Sequence, residues 1–240
     1  MRFIIMHKTD ARWEAGETPS PRLIERVGAL LGELQKEQRL LGGEGLRASS
    51  QGVRLAFSGG TRTITRGPFE GGNELPAGFS ILRARSLDEV VEWATRQAMI
   101  LGDVEMDIRP VTEPWDIGLG SKPANLDTQR FMVLRKATAA TESGSSPSAP
   151  QRAELSRLNE ESTRTGQHLL TENLRPSARG RRYKHTREGV HMIDGPFTES
   201  KELIAGYMIL SAGSLADAAR WVPRYLDVVE APEADLRELE

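Results

Sequence analysis

The stretch Asp194–Leu210, DGPFTESKELIAGYMIL, has a looser double at Arg66–Leu82, RGPFEGGNELPAGFSIL, and 128 residues separate the two. Sliding the whole chain by that distance sets Phe3 on Phe131, Lys8 on Lys136, Leu41 on Leu169, Glu44 on Glu172, Leu46–Arg47 on Leu174–Arg175 and Ser49 on Ser177. The match runs on through Ser86–Leu87 on Ser214–Leu215, Trp93 on Trp221, Glu105 on Glu233 and Arg109 on Arg237, with no gap. A self-match held at one fixed offset is the mark of a tandem duplication. The chain is therefore read as copy one at 1–113, a linker at 114–129 and copy two at 130–240.

Within copy one, Arg2 to Met6 reads as a strand and Pro21 to Leu41 as an amphipathic helix, with Leu23, Val27, Leu30, Leu31 and Leu34 at helical spacing. Gly42 to Gly45 breaks that helix. Val53, Leu55 and Phe57 alternate with less apolar residues, and Gly59–Gly60 turns them into Arg62–Arg66, which predicts a hairpin. Gly78–Ala84 is a further strand, Ser86 to Glu89 a capping box before a helix that buries Leu87, Val90, Val91 and Ala94, and Val104–Val111 a closing strand. The class is α+β: an antiparallel sheet with both helices on one face, ferredoxin-like with an extra hairpin. One sheet face is left bare, and a second copy can cover it, so the two ferredoxin-like units are expected to pack sheet to sheet as an internal pseudo-dimer. In copy two, the Ser/Ala/Gly/Pro-rich loop from Ala137 to Pro150 is expected to be mobile. The helix after it carries only Leu155 and Leu158 as clear anchors, and Pro223 should shorten or kink the last helix.

Composition narrows the setting. A net charge of −2 gives no global field toward nucleic acid or a membrane. The absence of cysteine excludes disulfides, thiolate nucleophiles and thiolate metal sites. The only apolar run at the N-terminus, Phe3–Met6, is too short for a signal segment, and the expected location is the cytoplasm. No histidine and carboxylate spacing suggests a metal, and the glycine-rich stretches match no phosphate or dinucleotide loop, so no cofactor is expected.

The hairpin register carries the sharpest chemical hint. With a two-residue turn, Asp194 falls opposite Arg181, and Tyr183 and His185 lie further along the same face with Val190 and Met192. Copy one places Val53, Leu55, Phe57 and Ile64 on that face. A carboxylate, a guanidinium, a phenol and an imidazole on one surface could hold an anion and run acid–base chemistry; a solvated cross-strand ion pair beside a packed tyrosine is the plain alternative. Arg187–Glu188 is a poor type I′ pair, and a one-residue slip would send the whole set to the other face. Glu44 and Glu172 each precede a Leu-Arg pair and read either as cleft acids paired with Arg47 or Arg175, or as structural ion pairs at a helix exit. His7, at the end of the first strand, reads as a cleft residue or as a structural edge histidine. Asp194 before Gly-Pro also suits a turn. The basic run from Arg175 to Arg187 leaves single-stranded nucleic acid as a weaker reading than a small anionic ligand.

GEGL at Gly43–Leu46, DGPF at Asp194–Phe197, KEL at Lys201–Leu203, AGY at Ala205–Tyr207, LDEVVEWA at Leu87–Ala94 and VEMDIRPV at Val104–Val111 together resemble the YCII-related family, in its DGPF-domain branch. The resemblance implies a dimeric α+β-barrel type of assembly with a small-molecule-sized cleft per unit. Some relatives look like enzymes that use a His/Asp pair; others have no assigned activity or are linked to transcription regulation. The chain departs from the pattern at Arg66, at Gly71–Gly72–Asn73 in place of Glu199–Ser200–Lys201, and at Thr171 and Asn173 in place of glycines. Neither copy has a histidine in its first helix, so the His/Asp chemistry is not carried over. Two functions are therefore expected side by side. One is a lyase or hydrolase acting on a small anion, with Asp194 as acid–base group, His185 assisting, Arg181 and Tyr183 binding, and Glu172, Arg175, Lys201, His7 and Glu44 as further ligand contacts. The other is a non-catalytic ligand-binding or regulatory module linked to transcription machinery. Homodimerisation beyond the internal pseudo-dimer stays open.

Overall fold

The structure, a computed structural model, describes residues 1–69 and 72–240; Glu70 and Gly71, the counterparts of Thr198 and Glu199, lie outside the described residues. Copy one runs β1 (Arg2–Lys8), α1 (Ala11–Glu14), α2 (Pro21–Lys36), β2 (Leu40–Gly45), β3 (Val53–Ser58), β4 (Thr61–Arg66), β5 (Pro76–Ala84), α3 (Leu87–Leu101) and β6 (Val104–Pro110). Copy two repeats this as β7 (Gln129–Lys136), α4 (Ala139–Glu142), α5 (Ala149–Arg164), β8 (His168–Asn173), β9 (Arg181–Thr186), β10 (Gly189–Asp194), β11 (Ile204–Ser211), α6 (Leu215–Ala219), α7 (Val222–Val229) and β12 (Glu233–Glu238).

The class is α+β with two six-stranded antiparallel sheets, ordered β10-β9-β12-β1-β11-β2 and β4-β3-β6-β7-β5-β8. Each sheet takes strands from both copies. The compact units are accordingly residues 1–45 with 174–240 (unit 1) and residues 46–173 (unit 2), and neither coincides with the repeat at 1–113 or at 130–240. Under the 128-residue shift the two sheets have the same order: β1 lies between β12 and β11 as β7 lies between β6 and β5. Copy one's β1, α2 and β2 are thus completed by the hairpin and last strands of copy two, and the reverse holds in unit 2.

Leu40–Gly45 forms a strand where the sequence suggested only a helix break. Its glycines show no period-2 alternation, yet Gly43 and Gly45 pair with Met208 and Gly206 of β11, and a Cβ at Gly43 would meet the Tyr207 carbonyl. The helix before it stops at Lys36, and Gln38 follows with φ 57°. Ser20 caps α2 by accepting from Leu23 N, and Ser86 caps α3 by accepting from Glu89 N.

In unit 1, α2, α6 and α7 cover Phe3, Ile5, Tyr183, Met208, Leu210 and Leu236. In unit 2, α3 and α5 cover Val53, Leu55, Met106, Ile108, Phe131 and Val133. α5 buries Leu158 and Ser162, a thinner anchor than Leu23, Leu30 and Leu34 of α2. Pro223 acts as expected: it opens α7 and splits into two helices what α3 keeps continuous, because a proline N–H cannot bond back along the chain. Among the described residues no helix is long and apolar enough to cross a membrane.

Candidate functional site

The second hairpin adopts the expected register, with Asp194 opposite Arg181, Met192 opposite Tyr183 and Val190 opposite His185. Thr186 Oγ1 accepts from Glu188 N at 3.2 Å and donates to the Gly189 carbonyl at 3.0 Å, which closes the Arg187–Glu188 turn despite its poor type I′ sequence. Arg181 Nε donates to Asp194 Oδ1 at 2.9 Å, but Asp194 is 69% exposed and His185 is exposed as well. Tyr183 is packed in the unit 1 core. His185 stands four residues beyond Arg181, roughly 13 Å at ~3.3 Å per residue. Sharing a face does not bring side chains together along a strand, so Asp194 and His185 form no acid–base pair. The Arg181–Asp194 bridge is the surface kind that contributes at most about 1 kcal/mol.

The motif's other residues explain its survival in both copies. The Gly195–Pro196 peptide is cis, and Gly195 sits so close to the Ser177 carbonyl that a Cβ would strike it. Ser177 Oγ accepts from Phe197 N at 2.9 Å, and the Phe197 ring lies 4.5 Å from the Arg182 guanidinium carbon. Copy one repeats each feature: Gly67–Pro68 is cis, Ser49 Oγ accepts from Phe69 N at 3.2 Å, and Arg54 stands 4.7 Å over Phe69. Gly-Pro-Phe is a turn that lays a ring on the arginine of the preceding hairpin, and that role does not involve Asp194.

Each of those arginines belongs to a buried charge cluster. In unit 1, Arg182 grips Asp235 with two N–H groups at 2.7 and 3.0 Å, Lys8 Nζ lies 3.0 Å from Asp235, and Lys8 donates to Ser200 Oγ at 2.9 Å. Lys8 and Asp235 are both fully buried. Burial alone would raise the Asp235 carboxyl, but Lys8 and Arg182 outweigh it and hold it below the usual carboxylate range. In unit 2, Arg54 grips Asp107 at 2.6 and 2.9 Å and Glu74 at 2.9 and 3.0 Å, while Lys136 contacts both carboxylates. The duplicated Lys, Asp and Arg cross-link the end of one copy's first strand to the other copy's last strand and hairpin. Charges neutralised in this way are structural.

His7 takes a position the sequence left open. Gly206 faces Gly45 across the β11–β2 pair, and a Cβ on Gly206 would collide with His7 Cε1 and the Glu44 carbonyl. The imidazole fills the notch these glycines leave, and its Nδ1 lies 2.8 Å from Tyr225 Oη. Burial lowers His7 from 6.5 to about 4 and pushes the Tyr225 phenol well up, so both are neutral near pH 7. The unit 2 counterpart holds Arg135, which donates to Asn173 beside Gly78.

The remaining expected contacts are dispersed. Glu44 lies opposite Tyr207 and Glu172 opposite Phe79, each on an edge strand. The Arg175 carbonyl accepts from Arg237, as the Arg47 carbonyl accepts from Arg109, and the Arg47 guanidinium donates to Asp116 at 2.5 and 3.1 Å. Lys201 is exposed beside Glu199 at 3.5 Å.

A concavity forms elsewhere in unit 1. Arg39, Asp217, Arg220, Trp221 and Arg224 line an open hollow of about 370 Å³. Asp217 accepts from Gly213 N at 3.0 Å, Arg220 at 2.5 Å and Arg39 at 3.0 Å, and these bonds hold its carboxyl far below the usual range. Arg224 pairs with Glu33 at 2.5 and 2.6 Å and stands 5.8 Å from the Trp221 ring centre.

The sequence pattern of the YCII-related domain matches residues 1–113 and again residues 129–225. The chain belongs to the YCII-related family. No curated protein matches it. Among solved structures it is compared with an aminotransferase from Brucella abortus bound to the cofactor PLP, at 12% identity over 57% of this chain and 70% of that one; the TM-score of 0.13 carries no argument about fold or function.

In this YCII-related chain, sequence reasoning missed both the buried clusters and the hollow. The clusters had a readable signal, because Lys8, Arg54 and Asp107 are each identical at the shifted positions Lys136, Arg182 and Asp235. The hollow had only Pro223, which marks where the helix breaks beside Arg220 and Trp221.

Proposed function

We propose that this YCII-related chain is a non-catalytic module that binds a small anion in the unit 1 hollow. The observation that carries the reading is the composition of that concavity, lined by three arginines, of which Arg39 is bonded to Asp217 and Glu37 and Arg224 to Glu33, while among the described residues Arg220 gives only one bond, to Asp217. A planar fork with fixed donors suits carboxylate or phosphate oxygens. Arg220 is 75% exposed and uses one Nη2 group on Asp217, so most of its fork faces solvent. The division of labour elsewhere supports the same reading: Asp194 and His185 stand apart and exposed, and the buried charges are neutralised where they sit. Isothermal calorimetry with sodium acetate and sodium phosphate tests it. Arg220→Ala with Arg224→Ala should weaken binding at least tenfold, and Asp194→Asn or His185→Ala should leave it unchanged. Loss of binding on Asp194→Asn, with the arginine variants intact, would return the site to the hairpin.

A further inference from the structure

The two copies treat one tryptophan in opposite ways. In unit 2, α3 is continuous, Trp93 is 2% exposed, and its Nε1 donates to Ser162 Oγ at 2.9 Å. In unit 1 the equivalent helix is broken at Arg220–Trp221 by Pro223, and Leu34 replaces the serine. Trp221 packs partly on the core and also forms a wall of the hollow. Among the described residues no group accepts a hydrogen bond from its indole N–H. Around it the sequence has gained cations under the same shift: Arg39 stands for Gln167 and Arg220 for Glu92, while the Arg224–Glu33 pair repeats Arg96–Glu161.

From this we infer that the hollow recognises a small aromatic carboxylate, with the ring against the Trp221 indole and the carboxylate on the exposed Arg220 guanidinium, beside Arg224 in its pair with Glu33. This rests on the anion-binding reading above and narrows it to a ligand class. An indole face is a stacking surface for any planar ring, and the nearby guanidinium groups fix which end of the ligand carries charge. The broken helix supplies the geometry. The residue that opens the hollow is a proline, so the half-buried indole's place on its wall is built into the backbone course rather than left to a rotamer.

The test titrates the full chain by calorimetry with sodium benzoate, sodium acetate and inorganic phosphate. Benzoate should bind about tenfold tighter than acetate, the margin of one aromatic contact. Trp221→Leu should erase that margin while acetate binding stays, and Trp221→Phe, which keeps a ring and most of the packing, should retain part of it. Far-UV circular dichroism establishes that each variant is folded. Equal benzoate and acetate affinities in the native chain, or phosphate tighter than benzoate, would overturn the aromatic carboxylate and leave anion binding standing. Binding of none of the three, or binding untouched by Arg220→Ala with Arg224→Ala, would overturn both.

Discussion

His7 gives the most quantitative prediction. Its half-buried ring is flanked by β11, β2 and α7, and burial lowers its pKa from 6.5 to about 4. Above pH 6.5 the imidazole is neutral in both folded and unfolded chains and has no effect on the pH dependence of stability. Between pH 6.5 and about 4 the unfolded chain takes up a proton that the folded chain refuses, so stability falls with pH through this window. At 1.36 kcal/mol per pH unit, the full loss is roughly 3 kcal/mol, most of it spent by pH 4.5. Urea unfolding followed by circular dichroism from pH 7.5 to 4.5 measures this, with His7→Leu as the reference that takes up no proton. The native chain should lose about 2–3 kcal/mol more than the variant across the range. The His7 Hε1 resonance should titrate near pH 4. Parallel stability curves, or a His7 midpoint near 6.5, would refute the burial-driven lowering of this ring's pKa.

Other perturbations follow from the same contacts. Asp235 is the carboxylate against buried Lys8, while Arg182 also has Glu233 at 3.2 Å, so Asp235→Asn, which strands Lys8, should cost about 3–5 kcal/mol, more than Lys8→Met, which leaves Asp235 its two-pronged arginine. Urea midpoints rank the two, and the reverse order would break the cluster argument. Gly206→Ala forces a Cβ onto His7 and the Glu44 carbonyl and should destabilise by about 1–3 kcal/mol, while Gly42→Ala, with nothing within 4 Å, should stay within about 0.5 kcal/mol. Thermal denaturation separates them.

Legibility in the sequence depended on what each element's pattern could encode. The hairpin register was readable because alternation and a two-residue turn fix it, and Thr186 repairs the weak turn at Arg187–Glu188. The helix break at Pro223 was readable because the residue lacks a donor. The edge strands Leu40–Gly45 and His168–Asn173 were not: the glycines of the first leave no side-chain period, and the second, HLLTEN, carries no apolar alternation. The exchange of halves between copies was invisible for a different reason. Both copies carry the same pattern, so β1 meets an equally suitable pair of neighbours in either, and no local preference distinguishes β11 and β12 from β5 and β6. At the site, a shared face at Asp194, Tyr183 and His185 was inferred correctly, but a face says nothing about depth, and two of the three lie in solvent.

The duplication itself separates structure from specialisation. Residues identical under the shift include those that lock the interior: Lys8 and Lys136, Arg54 and Arg182, Asp107 and Asp235, Phe69 and Phe197. Among the many positions that differ are two groups in unit 1: the notch, where His7 and Tyr225 stand for Arg135 and Gln97, and the hollow, where Arg39 and Arg220 stand for Gln167 and Glu92. Unit 2 keeps the helix whole and the tryptophan bonded to Ser162, so it offers no matching wall for a ligand. The broken helix, with Trp221 on the hollow, argues that unit 1 binds and unit 2 supports, and calorimetric titrations of the intact chain should end at a single ligand per chain.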